Sequence, residues 1–542
     1  MVMKTMNLSY LNYYPVLDYD VKDGRLAYVV LKDSPRVYIH GLGEIEIKEP
    51  ESVHWVRSRL GVVADQGGAE IRSIYLIDDV PYPLLSDGHD NFDPVFITED
   101  KFYFLSNRDK ETIHLYLYED GQITKISKGS SPVSDVCVSP GGRWIAYSSG
   151  IYDNDLILLD TKLEEEFTLS FSNSEQYPSS SQCFYGNSLL FLSNHRGFLD
   201  IGKLSLKDRE ITWIVTDDKD KYEALMWRDR LVYTVDNQGD ISLYVDGKVL
   251  VKEGVSQSLK TDKDLFFLNS TYSRASDIYK YSEKIERLTD SMRDVRGEFV
   301  KPKIVTYRSI GENIDALLYE RGGEDKGVVY VHGGPDYECL NHYSAEVQML
   351  LDSGFKVICP NYRGSTGRGR RFNHLNDKDL GGGDLLDVIE SVKLLGTQKV
   401  AVTGASYGGY LTMMAVTKFP DLWCAAAAVV PFVNWFTEKK TEREVLRQYD
   451  EIKIGNDESL LRDRSPIFFI DKIKSPLLIL AGENDPRCPA EETMQVAERM
   501  KELGKDLEYK IYQGEGHGFY KRENLIDSIV RVVEFLNKNC QK

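Results

Sequence analysis

Ser406 stands in Gly404-x-Ser406-x-Gly408, a spacing that can present a serine hydroxyl on a sharp turn for nucleophilic attack. A serine hydroxyl is a poor nucleophile until a base takes its proton, and at neutral pH the usual base is histidine. His517, in QGEGHGF, is the single histidine after Ser406. An acid must orient the imidazole through its other nitrogen, and in the chain order serine, acid, histidine it falls between the two. Asp485 directly follows an apolar run, PLLILAGEN, at the edge where parallel sheets place their chemistry; Glu483 on the same edge is the second candidate. The chemistry such a set can perform is acyl transfer, which needs two N–H donors for the tetrahedral oxyanion. Tyr407, the residue after the nucleophile, and Gly334 in His332-Gly333-Gly334-Pro335 are the expected donors, with His332 itself a structural hydrogen-bonder.

These side chains require a strand-to-helix elbow and several loops at one sheet edge. After about residue 295, apolar runs alternate with helix-periodic stretches, the mark of an α/β domain with a mostly parallel, doubly wound sheet. GVVYVHGGP, FKVICPNYRG, KVAVTGAS, PLLILAGEND and LEYKIYQGEGH are expected strands. SAEVQMLLDSG, GGDLLDVIESVKLLG, GGYLTMMAVTKF, AEETMQVAERMKELG and SIVRVVEFLNKN have helical spacing of apolar residues. Ser406 thus follows a strand and precedes a helix, where glycines at 404 and 408 avoid crowding of the backbone.

The preceding chain reads differently. A turn residue followed by four or five apolar residues recurs at Gly24, Ser58, Asp100, Gly142, Asn187, Asp229 and Lys263, at steps of 34, 42, 42, 45, 42 and 34 residues. Each copy precedes an alternating strand such as TIHLYLYED or DLILLDT. Short strands grouped about every 40 residues are the signature of propeller blades, and seven groups predict seven blades. The predicted architecture is an all-β seven-bladed propeller over 1–294 followed by an α/β-hydrolase domain over 295–542. Glu164, Glu165 and Glu166 fall where a turn between strands belongs and read as a solvated charge run.

Composition narrows the rest. With 42% hydrophobic and 28% charged residues the chain is of globular type, and no apolar run is long enough to span a membrane. A net charge of -18 disfavours binding to nucleic acid. No signal peptide is visible, and a cytoplasmic location is expected. The seven cysteines, odd in number and without a CxxC pair, are expected to be reduced and mostly buried rather than bridged or zinc-bound.

HGGP, NYRGSTGRG (361–369), GASYGGY (404–410), GGGDLLDV (381–388), GENDPRCP (482–489) and GEGHGF (514–519) together resemble the prolyl oligopeptidase family of serine peptidases, and most of all its acylaminoacyl peptidase branch. The resemblance covers the C-terminal half by motif and the N-terminal half by architecture. It implies a triad of Ser406, Asp485 and His517, an oxyanion hole from Gly334 and Tyr407, and a substrate-carbonyl contact from Arg487. Phe432, Trp435 and Phe436, in VVPFVNWF, would suit an apolar pocket for the residue donating the scissile carbonyl. It further implies hydrolysis of short, N-acylated peptides with the propeller limiting substrate size and no metal or other cofactor; from charge and hydropathy no nucleic acid or membrane partner is expected, and a homo-oligomer is left open. An esterase or a broader oligopeptidase on the same triad is the alternative. The helical N-terminal extension of some relatives is expected to be short or missing. A paired-glutamate helix for a free amine is not found, and Tyr407 stands where proline-specific relatives have asparagine, which disfavours both of those specificities.

Overall fold

A computed structural model of the chain describes residues 6–110 and 112–541. Each recurrent phrase becomes the second strand of an antiparallel unit, as in Arg25–Leu31, Arg59–Ala64 and Lys101–Asp109. The local cause is visible in the first unit. Asp23 and Gly24 both take positive φ (51° and 74°), the two-residue turn whose twist matches a hairpin, so that Lys22 pairs with Arg25.

Six antiparallel sheets of sequential strands fill the N-terminal half among the described residues. The sixth has eight strands, two units bridged by a single parallel pairing of Ile241 with Val255. Apolar side chains lock each unit face to face with the next. Val29 and Val37 of the first pack with Val53 and Val62 of the second, and Tyr103 and Leu105 of the third with Ile145 and Tyr147 of the fourth. A further cluster joins the last unit to the first, with Phe266, Leu268 and Ile278 against Val16, Tyr19 and Leu26.

The C-terminal half is an eight-stranded sheet with helices on both faces. In spatial order its strands are Lys303–Ser309, Glu312–Tyr319, Phe355–Pro360, Lys326–Val331, Lys399–Ala405, Trp423–Val429, Leu477–Gly482 and Glu508–Tyr512. The first two pairings are antiparallel and the rest parallel. Strand order reverses at Lys326–Val331, and register pairs Val331 with Gly404. The His332–Gly334 turn and Ser406 therefore leave adjacent strands side by side, at the crevice where open α/β sheets bind ligands. In Trp423–Val429, Ala426 and Ala428 face one core cluster and Ala425 and Ala427 the other. Their small size lets the two helix layers pack close to the sheet.

The cysteine expectation is overturned. Cys137–Cys183, Cys339–Cys359 and Cys424–Cys540 are disulfides, and only Cys488 is a free, buried thiol. The partners lie 46, 20 and 116 residues apart in sequence and have Cα atoms 6.4, 6.0 and 5.1 Å apart. No spacing rule links them; the tertiary packing of their segments does, as where Cys339 in a loop meets Cys359 in the strand Phe355–Pro360. The described residues before the first sheet couple the two halves. Tyr10 and Leu11, in the turn Leu8–Leu11, are buried against the C-terminal core, where Tyr343 donates to Tyr10 O at 2.7 Å. No helix among the described residues is long and apolar enough to cross a membrane.

Candidate active site

Ser406 sits between the strand Lys399–Ala405 and the helix Tyr407–Lys418 with φ 58° and ψ -123°. A non-glycine residue held there is strained, and the surroundings over-determine it. Its N–H donates to Val429 O and its carbonyl accepts from Tyr410 N, both at 2.9 Å. A Cβ on Gly404 would come within 2.6 Å of both Val331 O and Gly408 O, and one on Gly408 within 2.8 Å of His332 O. Glycine at both positions is what lets strand, turn and helix meet so tightly.

His517 follows the strand Glu508–Tyr512, and Asp485 follows Leu477–Gly482, its neighbour in the sheet. His517 Nε2 lies 2.8 Å from Ser406 Oγ, and His517 Nδ1 lies 2.8 Å from Asp485 Oδ2. The other carboxylate oxygen, Oδ1, accepts from Arg487 N at 2.8 Å and Cys488 N at 3.0 Å. One oxygen is thus anchored by backbone while the other faces the imidazole, so Nδ1 carries the proton and Nε2 is free to accept one. Glu483, the second candidate acid, points elsewhere: its Oε2 accepts from Gly514 N at 2.9 Å. Glu515 is buried and holds the histidine loop from the other side, accepting Tyr520 N and Lys521 N at 3.0 Å each.

The turn carrying Gly333 and Gly334 lies against the serine, for a Cβ on Gly333 would stand 3.4 Å from Ser406 Cβ. Gly334 has φ 119°, a backbone open only to glycine. Tyr407 begins the helix with its N–H among the unpaired donors of the first turn, and its hydroxyl donates to Asp384 Oδ2 at 2.5 Å. Burial raises Asp384 to about 6. His332 is buried, stacks on Tyr362 at 4.1 Å and bonds Ser365 Oγ at 2.8 Å; burial lowers it to about 4, so it is a neutral scaffold group. The NYRG and GGGD motifs meet in a buried bidentate pair, Arg363 to Asp387 at 2.9 Å through Nε and Nη2.

Phe432 and Trp435 are brought to the elbow. Phe432 stacks on Tyr410 at 4.4 Å and meets Trp435 edge-on at 4.6 Å. Phe436 instead packs against Phe468 at 6.0 Å. Arg487 does not stand free in solvent: its Nε donates to Glu70 Oε1 at 2.7 Å. Glu70 belongs to a loop of the second N-terminal sheet that sequence reasoning missed. Asn484 Nδ2 donates to Gly67 O at 2.7 Å, and Arg443 to the carbonyls of Ala69 (3.0 Å) and Glu70 (2.7 Å) and to Asp90 Oδ2 (3.0 Å). Beside the Arg487–Glu70 contact lies a cavity of about 900 Å³ whose wall includes Glu51, Glu70, Arg72, Arg487 and His517. The partners come from halves separated by more than 350 residues of chain, so no local spacing signals them.

Residues 341–542 match the prolyl oligopeptidase family. The C-terminal half carries a domain of this family. Dipeptidyl aminopeptidase BIII of Pseudoxanthomonas mexicana is 32% identical over 211 residues, 36% of this chain and 31% of that protein. Acylamino-acid-releasing enzyme 1 of Oryza sativa subsp. japonica is 28% identical over 233 residues, 40% of this chain and 30% of that protein. The chain thus matches about a third of the length of these relatives. A puromycin-hydrolyzing peptidase of Mycobacterium tuberculosis shares the fold, with a TM-score of 0.84 at 17% identity over 99% of this chain and 96% of that one. The prolyl oligopeptidase domain of this chain contains Ser406, Asp485 and His517, while Glu70 and Asp90 reach it from outside the matched residues.

Proposed function

We propose that this chain is a serine exopeptidase that releases N-acylated amino acids from short blocked peptides. The observation that carries the reading is the unbroken pair of 2.8 Å contacts from Ser406 through His517 to Asp485. Ser406 Oγ attacks the scissile carbonyl as His517 Nε2 takes its proton, and Asp485 steadies the imidazolium. The N–H groups of Gly334 and Tyr407 receive the oxyanion. His517 then protonates the leaving amine, and water attacks the acyl-enzyme by the same route. Arg487, released from or shared with Glu70, binds a substrate carbonyl, and Phe432 and Trp435 wall the pocket for the acylated residue. No cofactor enters these steps.

The N-terminal half, residues 1–294, is proposed to be a seven-bladed propeller and residues 295–542 the α/β-hydrolase domain. The series of face-to-face clusters that returns from the last unit to the first supports this division. The propeller covers the site and admits only small or flexible peptides. Disulfides persist in oxidising compartments and inside hyperthermophiles, so a cytoplasmic location is proposed for an interior of the second kind.

The test compares kcat/KM for N-acetyl-alanyl and N-acetyl-phenylalanyl p-nitroanilides with free-amine Gly-Pro p-nitroanilide and p-nitrophenyl butyrate, using Ser406→Ala as the blank. Blocked anilides are expected to win. Because a relative named as a dipeptidyl aminopeptidase matches the same region, a win by the free-amine anilide would replace the acylaminoacyl reading with an aminopeptidase one. Turnover of the ester alone would leave an esterase.

A further inference from the structure

We propose that Glu438 sets the specificity of the pocket beside Ser406, and that its carboxylate takes the ammonium or guanidinium of a substrate lysine or arginine that donates the scissile carbonyl. This rests on the peptidase reading above and names the side chain that the same site prefers.

The helix Trp435–Thr441 starts at an Asn434 cap just beyond Phe432. Trp435 and Glu438, one turn apart, share its buried face and are 1% and 4% exposed. Phe432 and Trp435 form the apolar wall next to Tyr407, whose ring centroid lies 6.5 Å from that of Phe432. Cys488, the buried thiol three residues after Asp485, belongs to the same core cluster as Phe432 and Trp435. The buried helix face that carries Trp435 and Glu438 is therefore packed toward the loop that holds Asp485.

In that place the Glu438 carboxyl keeps one oxygen unused. Its Oε2 is buried without a hydrogen-bond partner. Neighbouring polar groups contrast with it. Glu492 is equally buried, yet accepts Val433 N at 2.8 Å and Asn434 N at 3.0 Å and bonds Thr437 and Gln495. The nearby cations are committed elsewhere, Lys439 to Gly455 O at 2.8 Å and Arg443 to Asp90 and the Glu70 loop. A buried carboxyl left unpaired is unfavourable, and burial together with the charges of Glu492, Glu442, Asp450 and Asp485 favours its neutral form while the pocket is empty. An entering cation reverses that balance. Glu438 ionises against it, the proton leaves to solvent, and the pair forms in a low-dielectric site where a charge-assisted hydrogen bond is strong. The aliphatic stem of a lysine or arginine suits the Phe432–Trp435 wall on the way in.

The test measures kcat/KM for N-acetyl-lysyl, N-acetyl-arginyl, N-acetyl-norleucyl and N-acetyl-alanyl p-nitroanilides with the full chain, Glu438→Gln and Glu438→Leu. A fluorophosphonate probe reads Ser406 reactivity independently of any side-chain preference, and labelling of all three proteins is the baseline that separates this test from failure of the peptidase reading. The expected result is a preference of the unaltered protein for lysyl and arginyl over norleucyl substrate. Glu438→Gln should lose about 100-fold on the two cationic substrates with the alanyl substrate nearly unchanged, and Glu438→Leu should invert the preference toward norleucyl. Equal rates for lysyl and norleucyl substrates in a protein whose Ser406 labels would overturn the proposal, as would an equal loss on all four substrates in Glu438→Gln.

Discussion

Arg487 Nε and Glu70 Oε1 meet at 2.7 Å, tying the loop that carries Asp485 to a loop 417 residues earlier in the chain. The pair is partly open, with the Arg487 side chain 52% exposed, so it contributes at most about 1 kcal/mol of stability. Its consequence is positional, since it holds the guanidinium at the mouth of the cavity beside His517. Glu70→Gln and Arg487→Ala are each expected to lower kcat/KM for peptide anilides roughly 3- to 10-fold, with little effect on p-nitrophenyl acetate. A double-mutant cycle should find the two losses non-additive.

Gly68 of the same loop rests on the histidine loop. It has φ 75°, and a Cβ there would lie 2.7 Å from Gly516 Cα, next to His517. Gly68→Ala is expected to displace His517 and cut kcat by about 10- to 100-fold while KM changes little. Unchanged kcat would mean that the histidine loop is held without this contact.

Ser406→Ala should reduce turnover by about 10⁴-fold or more. Alanine keeps the strained backbone at φ 58°, whereas glycine relieves it. Ser406→Gly is therefore expected to be more stable than Ser406→Ala by about 1 kcal/mol in denaturant titrations, although both are inactive.

Under denaturing, non-reducing conditions one thiol, that of Cys488, should alkylate, and after reduction all seven should, as mass spectrometry would count. The Cys424–Cys540 bridge closes the longest loop, 116 residues, which corresponds to about 5 kcal/mol in the chain-entropy account. Cys424→Ser should lower Tm more than Cys339→Ser does.

Glu338 and Asp236 form a buried carboxyl pair between the two halves, bridged by the Tyr222 hydroxyl, which lies 3.1 Å from Glu338 Oε1 and 3.0 Å from Asp236 Oδ2. Burial first, then the Asp236 charge, holds Glu338 well above the ordinary carboxylate range; burial raises Asp236 as well, and Asp220 adds a further negative charge. Both groups bind protons more tightly in the folded state than in the unfolded one. Stability from this pair is therefore present in full below about pH 4, the unfolded carboxylate value, and falls as pH rises toward the raised folded values. Glu338→Gln is expected to flatten the decline of Tm with pH above that point, measured by scanning calorimetry at fixed ionic strength.

The elbow, its glycines and the order of nucleophile, acid and base are written in local spacing, because a strand-to-helix turn is specified by residues in contact along the chain. The seven recurrent phrases were legible for the same reason, as hairpins with their own turns. The first strand of each unit was not, since strands such as Val16–Lys22 and Pro50–Val56 alternate more weakly and gain their register from the phrase that follows. Trp423–Val429 was also hidden, because four alanines have little strand propensity of their own and owe their conformation to burial on both faces.

Sequence alone therefore determined Ser406 and His517 as nucleophile and base candidates with Asp485 or Glu483 between them, the paired-glycine turn at 333–334 and the two kinds of architecture. Only the tertiary structure decided which acid faces the imidazole, which cysteines pair, and that Arg443 and Arg487 both reach the Glu70 loop. The physical reason is that hydrogen bonds and periodicity within a segment leave a local pattern. Pairing between segments hundreds of residues apart depends on which sheet faces meet, and neither composition nor spacing records that.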